Sequence, residues 1–197
     1  MIGNDIIDIQ ETKRLSQSPK SGWQRPGFLE KVFSPEEQAL IEFSDDPFTI
    51  VWQLWSMKES AYKVFIQAGG TRFYNPSKIE CQLDSPSLGR VKIGDLRLKT
   101  TTIINADYIF STAMVENSEL VTSIFHLPKS DREQQSILTH QQLLTDFSTS
   151  NSLNYLYLSI HKSAAGVPAL SYQDKKLNAS ISMTHHGKFG AYSILEN

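Results

Sequence analysis

Between Trp52 and Phe65, apolar side chains recur at Leu54, Trp55, Met57, Ala61, Tyr62 and Phe65, close to the 3.6-residue period of a helix. No Gly or Pro interrupts the run until Gly69-Gly70, which reads as its stop. The N-terminal stretch 1–9 is rich in β-branched residues and predicts a strand at the start of the chain. Residues 15–27 mix Ser, Pro, Gly, Gln and Lys without a period and predict a loop. The apolar segment 28–33 then leads into a second helix start. There Ser34 as N-cap, Pro35 at the first helical position and Glu37 three residues after the cap form a capping box. After Gly70 the period changes to two, and strands are predicted over 77–83, 89–93, 96–104, 106–115 and 121–127, with a hairpin turn through 103–108. A helix over 130–149 carries Ile137, Leu138, Leu143, Leu144 and Phe147 on one face, with Asp131 and Glu133 near its start. A strand over 153–160, a turn at Gly166-Val167-Pro168 entering an extended segment, and a hairpin over 180–194 close the chain. The pattern is that of an α+β protein with antiparallel sheets and packed helices.

Composition narrows the classes. A chain of 197 residues suits one domain, or two tightly joined lobes. A net charge of −2 gives no whole-molecule field for nucleic acid or an anionic membrane, so neither is expected as a partner. Cys81 is the single cysteine, which excludes an internal disulfide framework and a thiolate metal cage; its expected role in a strand is packing. No signal-like start and no apolar run of membrane length occur, and a soluble cytoplasmic protein is the expectation.

The chemistry concentrates at three places. Glu59 and Lys63 stand at i and i+4 on the first helix and share one face. Such a pair is common on solvated surfaces, but this one lies beside Trp52 and Trp55, where full solvation is not expected. Asp5 follows Gly3-Asn4 in the first strand, where the backbone can bend and let a ligand come close. Two readings fit: Asp5 and Asp8 as strand-end acids facing water, or Asp5 with Glu59 as oxygen donors of the kind a hard cation such as magnesium prefers. His185 and His186 end a strand and, as neighbours, point to opposite faces, which makes a joint metal site poor. Beside hydroxyls and Lys188, His185 suits a phosphate instead.

These pieces carry a resemblance. Trp55-Ser56-Met57-Lys58-Glu59-Ser60-Ala61-Tyr62-Lys63 resembles the W-x-x-K-E-[AS]-x-x-K signature of the 4'-phosphopantetheinyl transferases. Gly3-Asn4-Asp5-Ile6 resembles that family's G-x-D-[IV] motif, and Phe33-Ser34-Pro35-Glu36-Glu37 its F-[ST]-x-x-E element. Ser182-Met183-Thr184-His185 with Phe189-Gly190-Ala191 resembles the S-[IL]-[ST]-H…[YW]-A-x-A element, and Gly166-Val167-Pro168 the G-[KR]-P turn before it. The chain has Ile7 where the surfactin-synthetase-type enzymes have a Glu. It has Asp8 where the holo-acyl-carrier-protein synthases have an acid.

The resemblance implies a 4'-phosphopantetheinyl transferase-like fold and a magnesium-dependent transfer of phosphopantetheine from coenzyme A to a serine of an acyl or peptidyl carrier protein. It implies Asp5 and Glu59, with Asp8, as metal ligands, and Glu59 and Lys63 as catalytic groups. Lys58, Lys63, Ser182, Thr184 and His185 become expected coenzyme A contacts. Lys13, Arg14 and Lys31 are candidates for docking an acidic carrier. The motif order fits two arrangements. One is a permuted two-lobe pseudo-dimer, with lobes over 1–127 and 128–197. The other is a single elaborated lobe that oligomerises and completes each site with a neighbour's His185. The alternative function is a non-catalytic module of the same fold that binds a carrier protein or coenzyme A.

Overall fold

The computed structural model of the protein describes residues 1–17, 21–115 and 119–196. Its first layer is a five-stranded antiparallel sheet crossed by one long helix. Strand β1 (Ile2–Asp8) begins the chain, and helices α1 (Ile9–Leu15), α2 (Phe28–Val32) and α3 (Pro35–Glu42) follow before α4 (Pro47–Gln67). Strands β2 (Ile79–Leu83), β3 (Leu88–Ile93), β4 (Leu96–Ile104) and β5 (Tyr108–Met114) complete the sheet in the order β1-β5-β4-β3-β2. Val51, Leu54, Met57, Ala61 and Val64 of α4 are all fully buried at three- and four-residue spacing; of the expected stripe Leu54, Met57 and Ala61 are among them, while Trp55, Tyr62 and Phe65 are half-buried at its flank. The Val, Leu and Met side chains each contribute about 1.5–3 kcal/mol on burial, the Ala61 methyl less.

The helix starts at Pro47, one turn and more before Trp52, because Asp46 caps it by accepting from Thr49 N at 3.1 Å. Two other expectations change. The first strand stops at Asp8 and turns into α1, part of which falls in the expected loop 15–27; residues 18–20 of that loop lie outside the described residues. The expected strand at 153–160 is instead a 3₁₀ turn (Tyr155–Tyr157) followed by β7 (Leu158–Lys162). A helical turn of so few residues leaves no periodic signature.

The remaining elements form a second unit. Strand β6 (Leu120–His126), helix α5 (Arg132–Ser150), β7, β8 (Pro168–Tyr172), β9 (Lys175–Lys176), β10 (Ala179–His186) and β11 (Phe189–Glu196) make two three-stranded sheets, β10-β11-β6 and β7-β8-β9. Leu143 and Phe147 of α5 pack on Leu158, Leu170, Ile181 and Tyr192 in a core of their own. Strand β6 precedes residue 127, yet it pairs with β11, not with the first sheet.

The two units meet at the outer edge of β1. An open strand edge leaves a row of unpaired amides and carbonyls. Here side chains occupy that row. Ile2 N and Ile2 O bond Gln67 of α4, Asn4 N bonds Ser182 Oγ, Asn4 O accepts from Lys63 Nζ, and Asp8 N bonds His186 Nδ1. Gly3 permits this closeness. A Cβ there would meet Ser60 O of α4 at 1.9 Å, so the close approach foreseen at Gly3-Asn4 is made by the helix backbone and not by a ligand.

Candidate active site

With Gly3 pressed against α4, Asp5 comes to lie beside Glu59 and Lys63. Lys63 Nζ stands 3.9 Å from Asp5 Oδ1 and donates to Asn4 O at 2.6 Å and Met183 O at 3.3 Å. It therefore joins α4, β1 and β10. Thr184 Oγ1 donates to Asp5 Oδ1 at 3.2 Å, and Ser56 Oγ donates to the Asp5 carbonyl. Asp5 Oδ2 is buried and has no hydrogen-bond partner among the described residues.

Burial dominates the electrostatics. Desolvation pushes the Asp5 carboxyl up to about 7, Lys63 opposes that, and the Glu59 carboxylate adds to it. Desolvation also raises Glu59, against the pull of Lys63. The Lys63 ammonium is lowered by burial, with both carboxylates working to keep it charged. Two crowded carboxylates with an unsatisfied inward oxygen are poised for a cation or a proton. Among the described residues no group of three or more His, Cys, Asp or Glu side chains converges on one point. A hard cation held by Asp5 and Glu59 would thus complete its shell from water or a ligand, which suits magnesium.

Beside this cluster opens a cavity of about 350 Å³ between α4, α5, β10 and the turn at 162–168. Lys63, Arg72, His140, Lys162 and His185 line it, and among the described residues no Asp or Glu does. Arg72 reaches across from the first unit and donates to Ala165 O at 2.7 Å. A cavity rimmed by cations and free of acids favours a ligand carrying several negative charges.

The geometry sorts the expected site residues. Asp5, Glu59, Lys63, Thr184 and His185 come together; Thr184 does so by bonding the Asp5 carboxylate, and His185 by lining the cavity. Lys58 does not. It is 1% exposed on the opposite side of α4, paired with Glu37 at 2.7 Å and donating to Pro76 O and Ile79 O. This is a correction: a helix turns 100° per residue, so neighbours of Glu59 face elsewhere, and Lys58 is a buried structural cation rather than a cofactor contact. Glu37 also accepts from Ser34 N and Cys81 N, so the capping box serves to hold that ion pair. Ser182 borders the cavity, but its hydroxyl is engaged twice by Asn4, at 3.0 and 2.7 Å, and acts as a fastener between β1 and β10.

Both carboxylate oxygens of Asp8, an expected metal ligand, are engaged by backbone amides. Its Oδ1 accepts from Glu11 N at 3.0 Å as the N-cap of α1, and its Oδ2 accepts from Lys188 N at 2.9 Å. It clips the β10–β11 turn to the first strand, and a Cβ at Gly187 would strike Asp8 Oδ2 at 2.2 Å. Sequence reasoning passed over Arg72, Gln135, His140 and Lys162. They belong to no motif, and only packing brings Arg72, His140 and Lys162 to one cavity and Gln135 to His185.

The model of the 4'-phosphopantetheinyl transferase superfamily matches residues 1–113. The chain belongs to that superfamily. The matched span holds Asp5, Glu59 and Lys63, whereas His140, Lys162 and His185 lie beyond it. Among solved structures, Helicobacter pylori holo-[acyl-carrier-protein] synthase in complex with coenzyme A shares 13% identity with the chain. That match covers 100% of both chains, with a TM-score of 0.26. No curated protein matches. Among the described residues no helix is long and apolar enough to cross a membrane.

Proposed function

We propose that this protein transfers the 4'-phosphopantetheine arm of coenzyme A to a serine hydroxyl of an acyl or peptidyl carrier protein. Adenosine 3',5'-bisphosphate would be the other product. The observation that carries this reading is the buried Asp5 carboxylate with one unpartnered oxygen, set beside Glu59 and Lys63 at the edge of an acid-free, cation-lined cavity. Membership of the superfamily supports it.

The residues divide the work. Asp5 and Glu59 would hold magnesium, and the ion, when bound, supplies charge neutralisation at the pyrophosphate. Lys63 is pinned by Asn4 O and Met183 O, so its ammonium presents a fixed point charge to phosphate oxygens. Arg72, Lys162 and the two histidines take the remaining phosphate charge from the other walls. Burial raises the Glu59 carboxyl above its ordinary range, which makes it a better base toward the serine proton. As that proton moves to Glu59, the serine oxygen bonds phosphorus and the pyrophosphate bridge breaks. The leaving oxygens remain next to Lys63.

We also read the chain as two lobes with the site between them, because the cavity draws Lys63 and Arg72 from one unit and His140, Lys162 and His185 from the other. On this reading the boundary lies before Leu120 and not at 127, a choice supported by the pairing of β6 with β11. For the acidic carrier, Lys13 on α1 and Lys31 on α2 are the better docking groups, since Arg14 is already paired with Glu11 at 2.6 Å. The test is mass spectrometry of an apo carrier protein incubated with coenzyme A, magnesium and either the wild type or Glu59→Ala. A gain of one phosphopantetheine with the wild type alone supports the transfer. Tight coenzyme A binding without any gain on several carriers would establish the non-catalytic module instead.

A further inference from the structure

Gln135, near the start of α5, belongs to none of the motifs, yet its side-chain amide makes two directed bonds. Nε2 donates to Gly187 O at 2.7 Å, and Oε1 lies 3.2 Å from His185 Nδ1. The first bond fixes the orientation of the amide, because a carbonyl accepts only from the NH₂ end. Oε1 is then the atom that faces His185. Oxygen in an amide cannot donate, so Nδ1 has to carry the hydrogen. In the neutral ring Nε2 is left with a lone pair, and Nε2 has no hydrogen-bond partner among the described residues. His185 lines the cation-rimmed cavity, so the ring offers an arriving anion a lone pair where a proton is needed.

Resting on the coenzyme A reading above, we propose that Gln135 is a positioning residue that locks His185 as its Nδ1–H tautomer, so that a phosphate of the ligand is bound with uptake of a proton at Nε2. The groups around His185 favour the neutral ring before the ligand arrives. Arg132 and His140 face it from α5 and Lys63 from α4, His186 lies beside it in β10 on the opposite face, Arg72 and Lys162 share the cavity, and among the described residues no acid lines it. Desolvation first, and then Arg132, Lys63, His186 and His140, hold the imidazole below its ordinary range. A phosphate reverses both influences. Affinity for coenzyme A should then fall by up to about tenfold per unit of rising pH across the neutral range.

Two measurements test this. In the free protein at about pH 8, nitrogen-edited long-range NMR of the histidine rings reports which nitrogen is protonated. His185 is expected as Nδ1–H in the wild type, with Nε2–H gaining in Gln135→Met. An Nε2–H ring in the wild type, or no change in the variant, would overturn the lock. The second arm is calorimetric titration with coenzyme A in two buffers of different ionisation heat. The wild type should take up about one proton per coenzyme A, and His185→Gln close to none. Gln135→Glu should also take up little, because its carboxylate holds the ring charged in advance. Gln135→Met should bind about fivefold more weakly. Zero uptake by the wild type, or undiminished uptake in His185→Gln, overturns the proposal. Absence of coenzyme A binding by the wild type overturns the ligand reading along with the proton uptake. The NMR arm tells that failure apart from failure of the lock.

Discussion

Asp5→Asn should abolish transfer and at the same time stabilise the metal-free protein. In the folded chain the Asp5 carboxyl is pushed up to about 7 from the ordinary 3.8. The native state therefore binds this proton more tightly than the unfolded chain does, and stability falls as pH rises from 3.8 through about 7. Once the group is ionised, the gap amounts to about 4 kcal/mol. Asn removes that term while keeping an oxygen for Thr184. It also removes the anion 3.9 Å from Lys63, leaving the ammonium to Glu59, Asn4 O and Met183 O. The pull of Lys63 is already contained in the raised carboxyl, so the offset comes from the amide NH₂, which takes the place of the buried Oδ2 without an acceptor and costs about 2 kcal/mol. The net gain of about 2 kcal/mol corresponds to a rise in Tm of about 4–8 °C for a chain of this size. Scanning calorimetry with a chelator should show the gain at about pH 8 and little of it at about pH 5, where the wild-type carboxyl holds its proton. Magnesium should then raise the Tm of the wild type and not of Asp5→Asn. An equal or lower Tm for the variant at the higher pH, or the same difference at both, would refute the account of Asp5 as a strained, cation-seeking carboxylate.

Other outcomes follow from the same contacts. Lys58→Met strands the buried Glu37 carboxylate, which should lower stability by about 3–5 kcal/mol in chemical denaturation while the folded fraction keeps its transfer rate. A variant of normal stability that has lost activity would return Lys58 to the site. Lys63→Met should lower kcat/KM for transfer on the order of 100-fold in a steady-state assay, since it removes a fixed charge from the reacting phosphates. Arg72→Ala should raise the KM for coenzyme A with a smaller change in kcat, because the guanidinium sits on the cavity wall and its anchor is Ala165 O. Gly187→Ala puts a Cβ against Asp8 Oδ2 at a residue with φ +57°, and thermal unfolding should show a loss of about 2–3 kcal/mol.

Much of this molecule is written in local pattern. The apolar stripe of α4, the capping box at Ser34 and Glu37, the alternation of the strands and the turn at Asn105 all depend on residues close in sequence, whose periods and caps are legible there. So are Asp5, Glu59 and Lys63, because their motifs are contiguous and their residue types match cation and phosphate chemistry. The short helix α1 and the 3₁₀ turn at Tyr155 were not legible; a single turn has no period to detect.

Motif membership could not tell a site residue from its support. Lys58 and Glu59 are adjacent in the chain, yet one is buried under β2 against Glu37 and the other faces Asp5 and Lys63, a difference set by the rotation of α4 over the sheet. Asp8 became a clip and Ser182 a fastener only when β1 lay against β10, since their partners are 178–180 residues away. The cavity itself depends on two separately packed units meeting at the β1 edge. Arg72, His140, Lys162 and Gln135 acquire their surroundings there, from long-range packing that no local sequence signal encodes.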